Sequence, residues 1–193
     1  MDANCDRSGI PGDARAARGA PDIRPLDDAP ETVDALSRLL IETVAAGGSV
    51  SFLHPLASET AARFWSGWLA SAARGERVVL GAFVAGELAA SVTLVLDCPP
   101  NQPHRAEIAK MMTATRHRGQ GLGSALLARA EAIAAERSRT LINLDTASEE
   151  GASLFYERNG YVFAGEIPDY ALKPHGGLTG TRLYWKRLCR GIG

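Results

Sequence analysis

Cysteine and histidine are scarce in this sequence and form no paired motif. The three cysteines are far apart and lack the spacing that ligates zinc or supports thiol exchange: Cys5, Cys98 and Cys189. The four histidines are equally scattered and include no H-x-x-x-H pair: His54, His104, His117 and His175. We therefore expect reduced thiols in a cytoplasmic protein and no metal site.

The sequence also lacks a long apolar run. No segment approaches the roughly 20 apolar residues that span a bilayer, and the N-terminus lacks the apolar stretch of a secretory signal. We expect no association with membranes. Residues 1–20 are poor in large apolar side chains, so they are predicted to form a disordered N-terminal tail. Residues 21–193 are predicted to form a single domain.

Neither sign of charge is in excess. The 21 basic and 22 acidic residues give a formal net charge of -1, so no global field gathers nucleic acid or an anionic membrane around the protein. No repeat with a period of roughly 20 to 50 residues is present, which excludes a solenoid. Chemistry on a small molecule is therefore favoured over nucleic-acid binding.

The hydrophobic pattern predicts a mixed order of helices and strands. The predicted helices begin at the capping pair of Asp28 and Glu31, at Ser58, at Leu122 and at Glu150. Gly47 and Gly48 stop the first, Gly75 ends the second, and the last ends at Arg158. The predicted strands cover residues 23–26, 77–84, 88–96, 105–113, 140–145, 161–165 and 181–188. Ala85, Gly86 and Glu87 supply a tight turn between two of these strands, which indicates an antiparallel hairpin.

A glycine-rich turn at residues 118–124 joins a predicted strand to a predicted helix. The free N–H groups and the dipole at a helix start favour a bound anion such as phosphate. Gly121 and Gly123 have no side chains to hold a pyrophosphate away from the main chain, and Arg118 adds a positive charge. An ordinary turn in which the glycines relieve strain remains the alternative. The dinucleotide and P-loop spacings are both absent.

Two motifs in this part of the chain resemble those of the GNAT acetyltransferases. Arg118-x-x-Gly121-x-Gly123 matches the coenzyme A signature R/Q-x-x-G-x-G/A, and residues 154–161, LFYERNGY, resemble the segment L-[FL]-Y-x-x-x-G-[FY]. The resemblance implies an α/β (α+β) fold with a central mixed, mostly antiparallel sheet of six to seven strands and about four helices. It implies acetyl-CoA as cosubstrate, contacted by Met112, Thr113, Arg118, Gly119, Gln120, Gly121, Leu122, Gly123 and Ser124.

Four further segments resemble the tabtoxin-resistance branch of this superfamily: residues 48–53, 101–107, 144–146 and 165–171. This resemblance implies that Glu107 and Asp145 act as general bases, directly or through water, and that Tyr156 is the acid. A main-chain N–H near Met112 would stabilise the oxyanion. Plainer alternatives stay open, because carboxylates near strand ends are often solvated or ion-paired and the ring of Tyr156 could be core packing.

Several residues depart from the family pattern or have two interpretations. Many members carry an asparagine shortly before the tyrosine, where this chain has Ser148, Glu149 and Glu150, so no role for that asparagine is expected. Trp65 and Trp68 could line an acceptor pocket, but rings at helical spacing favour a place in the core. Met111, Met112 and Thr113 replace branched apolar residues on the cofactor strand, a change that main-chain contacts would tolerate.

The resemblance implies transfer of an acetyl group from acetyl-CoA to an amine. We expect a small acceptor such as an amino-acid-like toxin or antibiotic. Acetylation of a protein N-terminus or lysine, and a non-catalytic module that senses acyl-CoA, are the alternatives. No nucleic-acid or membrane partner is expected, and a homodimer is left open.

Overall fold

The computed structural model describes residues 21–149 and 151–188. The predicted tail at residues 1–20 lies outside these residues, as do Cys5, Cys189 and Glu150. Within the described ranges the α-helices are α1 Pro30–Ala45, α2 Ser58–Ala73, α3 Leu122–Glu136 and α4 Ala152–Arg158. The strands are β1 Asp22–Pro25, β2 Arg77–Val84, β3 Glu87–Val95, β4 Arg105–Thr113, β5 Leu141–Ala147, β6 Val162–Leu172 and β7 Leu178–Arg187. A short 3₁₀ turn, Thr115–His117, follows β4.

One seven-stranded sheet connects these elements in the order β1-β2-β3-β4-β5-β7-β6. Every neighbouring pair is antiparallel except β4 and β5, which run parallel. That parallel pairing extends only from Arg105 opposite Leu141 to Glu107 opposite Asn143. Beyond it β4 and β5 continue without pairing to each other, so a gap opens within the sheet. The predicted mixed, mostly antiparallel sheet with about four helices is confirmed.

Two hydrophobic cores cover the two faces of the sheet. Because successive side chains of a strand alternate between faces, Leu80 of β2 packs with α3 residues such as Leu126, whereas Val79 packs with Leu40 of α1 and Trp65 of α2. The side chain of Trp65 is fully buried. The two helical layers thus cover the sheet on both sides.

A β-bulge interrupts β4 beside this gap. Ser91 of β3 pairs with Met112 and Thr93 pairs with Ala109, so two residues of β4, Lys110 and Met111, lie opposite one residue of β3. Lys110 adopts a left-handed φ of +50°, a conformation that costs free energy and occurs at functional sites. The bulge therefore changes the direction of the chain where β4 leaves β5.

The N-caps of the first two helices differ from the predicted ones. The capping pair of Asp28 and Glu31 is wrong, because Ala29 holds the N-cap position of α1 and no side chain of the described residues caps the helix. Oδ1 of Asp27 accepts hydrogen bonds from the Ala29 N–H at 3.3 Å and from the Thr32 hydroxyl at 3.1 Å just before this start. At α2 the N-cap position is held by Ala57, without a side-chain cap, and Ser58 is already helical. Sequence signals located both helices, and α2 begins at the predicted Ser58, but neither helix has the predicted side-chain cap.

The last hairpin is longer than predicted. Residues 161–165 and 181–188 were expected to form short strands, whereas β6 and β7 extend to Leu172 and start at Leu178. Pro168 reads as a strand breaker, but it lies on an edge strand, where a missing N–H is tolerated. A register irregularity between Ile167 and Ala171, with Asp169 at a φ of +52°, accommodates it.

No helix among the described residues is long and apolar enough to span a bilayer.

Candidate active site

A cleft of about 1070 Å³ lies where β4 and β5 diverge. β4 runs along it from Glu107 to Thr113, about 20 Å at the usual rise per residue of a strand. We call the part around residues 113–124 and α4 the glycine-turn half. We call the part around Trp68, Arg77, Glu107, Lys110 and Asp145 the acidic half.

The cleft brings together the residues that the sequence singled out. Those that line it are Glu107, Met112, Thr113, Arg118, Gly119, Gly121, Leu122, Gly123, Ser124, Asp145 and Tyr156. The side chain of Gln120 is not part of the lining, because its amide donates to the backbone carbonyl of Arg116 at 3.2 Å.

The glycine turn presents backbone donors without protein partners. Within the described residues, no backbone hydrogen bond is donated by the N–H groups of residues 119–124, which precede and begin α3. These N–H groups and the positive end of the α3 dipole favour an anionic group. The side chain of Arg118 stays close, with its Nε 3.4 Å from the carbonyl oxygen of Thr113. The turn therefore fits a phosphate-bearing ligand.

The glycines are required for different reasons. Gly119 and Gly121 have φ angles of +74° and +85°, and a Cβ at either position would meet no atom within 4 Å. Their backbone is thus both left-handed and accessible. Gly123 has no such angle, but a Cβ there would lie 3.0 Å from Cζ of Phe155. The geometry is compatible with both interpretations of the turn, since glycine satisfies the backbone conformation and also leaves the main chain open to a ligand.

Two contacts that stabilise the segment before this turn could not be recognised in the sequence. Oε1 of Glu42, on α1, accepts a hydrogen bond of 2.7 Å from the Thr115 N–H at the start of the 3₁₀ turn. Arg116 forms an ion pair of 2.6 Å with Glu87 at the start of β3. The segment that leads into the glycine turn is therefore held from two sides. Glu42 is 73 positions from its partner Thr115 in the sequence, and Glu87 is 29 positions from Arg116.

The two predicted bases lie on neighbouring strands and on the same face of the sheet. Glu107 is opposite Asn143, and Asp145 is two residues further along β5, so all three side chains share one face. The Glu107 side chain is 38% exposed and lies 3.5 Å from Nη1 of Arg105. Oδ2 of Asp145 accepts a hydrogen bond of 2.9 Å from the hydroxyl of Thr181. Within residues 21–149 and 151–188, each carboxylate has one close partner, and both line the cleft.

Tyr156 combines the core and the site interpretations. Its ring is 6% exposed and packs against the rings of Tyr161 and Tyr184 at centroid distances of 5.9 and 6.0 Å, while the residue also lines the cleft. Burial, and to a smaller extent the negative charge of Asp145, raises the pKa of the phenol well above its ordinary value. The hydroxyl consequently stays protonated and can donate a hydrogen bond at every physiological pH.

Met112 offers only its main chain. Its side chain is 2% exposed and packs in the core beneath α1 and α2. The β-bulge at Lys110 and Met111 interrupts regular pairing with β3 immediately before it. This geometry is compatible with the predicted main-chain contact near Met112.

Lys110 is a site residue that the sequence interpretation missed. Its Nζ donates to the carbonyl oxygen of Val50 at 2.9 Å and to the hydroxyl of Ser51 at 2.8 Å. Burial lowers the pKa of the ammonium group, and the charges of Asp145 and Glu107 partly oppose this effect. One signal could have pointed to it, because it is the only charged residue between Ile108 and Ala114.

Two more missed residues complete the acidic half. Trp65 is core, as preferred from its spacing, but Trp68 lines the cleft. The guanidinium carbon of Arg77 lies 4.5 Å from the ring centroid of Trp68, and the buried Nε of Arg77 has no hydrogen-bond partner.

Among the described residues no group of three or more His, Cys, Asp or Glu side chains is arranged to hold a metal ion.

Solved structures of other proteins share this fold. A ribosomal-protein-alanine N-acetyltransferase from Brucella melitensis is 21% identical, with 86% of this chain and 99% of that chain covered and a TM-score of 0.74. A candidate phosphinothricin N-acetyltransferase is 21% identical, with coverage of 88% and 99% and a TM-score of 0.72. YncA from Salmonella typhimurium, solved with its cofactor acetyl-CoA, is 16% identical, with coverage of 91% and 98% and a TM-score of 0.73.

The family itself is established by sequence. The model of the acetyltransferase (GNAT) family matches residues 45–161, which is more than half of the chain and contains the glycine turn, both predicted bases and Tyr156. With its seven-stranded sheet, parted at β4 and β5, and the cleft in that gap, this chain belongs to the acetyltransferase (GNAT) family.

Proposed function

We propose that this protein transfers the acetyl group of acetyl-CoA to the amine of a small, amino-acid-like molecule, such as a toxin or antibiotic, by direct attack in a ternary complex. One observation carries the proposal: among the described residues, a single cleft holds a glycine turn with unpaired backbone N–H groups at one end and two accessible carboxylates at the other. GNAT proteins use acetyl-CoA, and YncA was solved with it. The four segments that resemble the tabtoxin-resistance branch support a placement there.

In this proposal the glycine-turn half holds acetyl-CoA. The N–H groups of residues 119–124 and the start of α3 bind its diphosphate, and Arg118 adds a positive charge. The main chain of Met112 and Thr113 lies between this turn and the carboxylates, and it positions the thioester. An N–H near Met112 stabilises the negative charge that develops on the carbonyl oxygen.

The acidic half prepares the amine. An amine is protonated near neutral pH and must lose a proton before it attacks. Glu107 and Asp145 accept that proton, directly or through water. The amine then attacks the thioester carbonyl, and the C–S bond breaks when the tetrahedral intermediate collapses. The high pKa of Tyr156 keeps its phenol protonated, so it is in place as the acid that donates to the departing coenzyme A sulfur. A module that only senses acyl-CoA would not need these three side chains around one cleft.

Contacts beside the cleft support a small acceptor over a polypeptide, because they join two segments that border the cleft and so restrict access to it. The His54 N–H donates to the carbonyl oxygen of Pro174 at 2.9 Å, and the rings of His54 and His175 are 4.7 Å apart. These contacts join the loop after α1 to the β6–β7 turn, and segments next to both line the cleft.

The names of the two structural neighbours specify different acceptors, a ribosomal protein alanine and phosphinothricin, so the shared fold does not decide between them.

Calorimetry and a thiol-release assay test this function. We expect binding of coenzyme A and acetyl-CoA, and release of free thiol with at least one member of a panel of amino acids, aminoglycosides and polyamines. Peptides that begin with alanine or contain lysine are the comparison set, and faster release with them than with every small amine would favour the protein acceptor. Absence of heat with both forms of the coenzyme, together with absence of thiol release with all amines, would overturn the proposal.

We further infer that residues 21–193 work as one domain, since a single sheet includes strands from Asp22 to Arg187. Thermal unfolding of the full chain should show one cooperative transition that shifts as a whole when coenzyme A is added. Two separated transitions, only one of which responds to the ligand, would contradict a single domain.

A further inference from the structure

Two cations in the acidic half have no part in the acetyl transfer described above. Arg77 and Lys110 both line the cleft beside the predicted bases. We propose that these two side chains bind a carboxylate of the acceptor, which makes the substrate a molecule with a free carboxylate near its reactive amine. This inference rests on the proposed function and adds the residues that select the substrate.

The position of Arg77 in the sheet places it beside Glu107. Arg77 pairs with Val95, and Val95 pairs with Glu107, so the three side chains share a face across three adjacent strands. Two strand spacings separate Arg77 from Glu107, about 10 Å between backbones. Long side chains that face each other over this distance can contact the two ends of one small molecule.

Among the described residues, the guanidinium group of Arg77 has no hydrogen-bond acceptor. Its Nε is buried without a hydrogen-bond partner, and the carboxylate of Glu76, its neighbour in sequence, already binds Arg74 through hydrogen bonds of 2.6 and 2.8 Å. A buried donor without a partner is costly, and the planar fork of an arginine matches a carboxylate in two parallel hydrogen bonds. Trp68 supports the guanidinium from one side, at 4.5 Å.

Lys110 adds a second positive charge next to the same ring. Its Nζ lies 5.7 Å from the ring centroid of Trp68. Two of the three ammonium donors are used by Val50 and Ser51, which leaves one for a ligand. The left-handed backbone at Lys110 is a conformation that persists at binding and catalytic sites.

The charges of the acidic half fit a zwitterion. Glu107 and Asp145 attract the ammonium form of the acceptor before it loses its proton, while Arg77 and Lys110 attract its anionic end. A carboxylate fits better than a phosphate because a dianion would be repelled more strongly by the two nearby acidic side chains. The arrangement therefore favours an amino acid or a close analogue.

Matched acceptors provide the test. We would measure thiol release with glycine, lysine, glutamate, methionine and phenylalanine, and with the amide of each, which keeps the amine but lacks the α-carboxylate. The amine of the amide is the less basic of the two, so intrinsic reactivity favours the amide. For the best amino acid we expect wild-type kcat/KM to exceed that of its amide by about 10- to 100-fold, the range of a charge-assisted hydrogen bond pair.

Substitutions at Arg77 and Lys110 test whether these residues cause the preference for the acid over the amide. Arg77→Gln should reduce the acid-to-amide ratio towards one, mainly through a higher KM for the acid, and leave the affinity for acetyl-CoA unchanged. Arg77→Lys should retain part of the ratio, because it keeps the charge but loses the fork. Lys110→Met should reduce the ratio less. Arg129→Gln, which removes an exposed charge on α3, is the control and should retain the wild-type ratio.

The outcomes separate this inference from the proposed function. If no amine releases thiol, the acetyltransferase proposal itself fails. If thiol is released but wild-type protein uses amides as well as acids, the carboxylate site is wrong and the acetyltransferase proposal stands. An unchanged ratio in an Arg77→Gln protein that binds acetyl-CoA normally would also refute the site. The wild-type ratio needs no variant, so a poorly folding variant does not prevent a decision.

Discussion

The two halves of the cleft offer charge recognition by different means. The glycine-turn half offers backbone N–H groups from one contiguous segment, residues 119–124. The acidic half offers side chains from α2, β2, β4 and β5, which come from positions as far apart as Trp68 and Asp145. A binding site made of main chain is a property of local conformation, whereas one made of side chains depends on the whole sheet. The two halves should therefore respond differently to substitution.

The largest effect is expected from the carboxylates. Glu107→Gln and Asp145→Asn should each lower kcat by about 10²- to 10⁴-fold, the usual contribution of a general base, while calorimetry shows unchanged affinity for acetyl-CoA. Glu136→Gln, at an exposed ion pair on α3, is the matched control and should keep full activity. Undiminished rates in both cleft variants would remove the proposed bases.

A smaller loss is expected from the phenol. Tyr156→Phe should lower kcat by roughly 100-fold, because one hydrogen-bond donor to developing charge is lost, and should leave stability nearly unchanged because the ring still fills the core. Tyr161→Phe is the control: its ring lies 5.9 Å from that of Tyr156. Equal kcat values for these two variants would assign Tyr156 to packing alone.

Substitutions in the glycine-turn half should weaken the binding of acetyl-CoA more than they lower kcat. Gly121→Val places a branched side chain at a φ of +85°, so the turn must change conformation, and we expect acetyl-CoA to bind about 10- to 100-fold more weakly. Gly86→Val introduces the same strain at +83° in the β2–β3 turn. It should destabilise the fold without a comparable loss of coenzyme affinity, and similar losses in both variants would mean that only stability is affected.

The smallest effect concerns the free energy of folding and pH. Burial lowers the pKa of Lys110 below its ordinary 10.5. At a pH below this lowered pKa, the folded protein holds a charged, partly desolvated amine, which costs free energy. Between the lowered folded pKa and 10.5 the unfolded chain binds more protons, and stability contributed by this group rises with pH. Wild-type Tm should therefore rise relative to that of Lys110→Met as pH approaches 10.5. A constant difference across the alkaline range would contradict the burial effect.

The cleft residues show how far sequence reasoning reached. Glu107, Asp145 and Tyr156 were named from motifs, and the structure brings them to one cleft, where their catalytic roles remain predictions. Arg77 and Lys110 were not predicted, because no motif marks them, and Trp68 was assigned to the core from its helical spacing although it lines the cleft. Arg77 and Glu107 are 30 positions apart in the sequence, and only the pairing of β2, β3 and β4 brings them to one face. The length of β6 was also missed, since its proline is tolerated only on an edge strand.

The sequence by itself determined most of the helices and strands and the position of the glycine turn. Hydrophobic periodicity sets helices and strands locally, and glycines at 119 and 121 permit left-handed conformations that other residues resist. Only the tertiary structure decided where β4 and β5 part, which face carries the two carboxylates, and that Arg77 and Lys110 flank the same indole ring. These features depend on strand register, which is fixed by packing between segments that are distant in the chain.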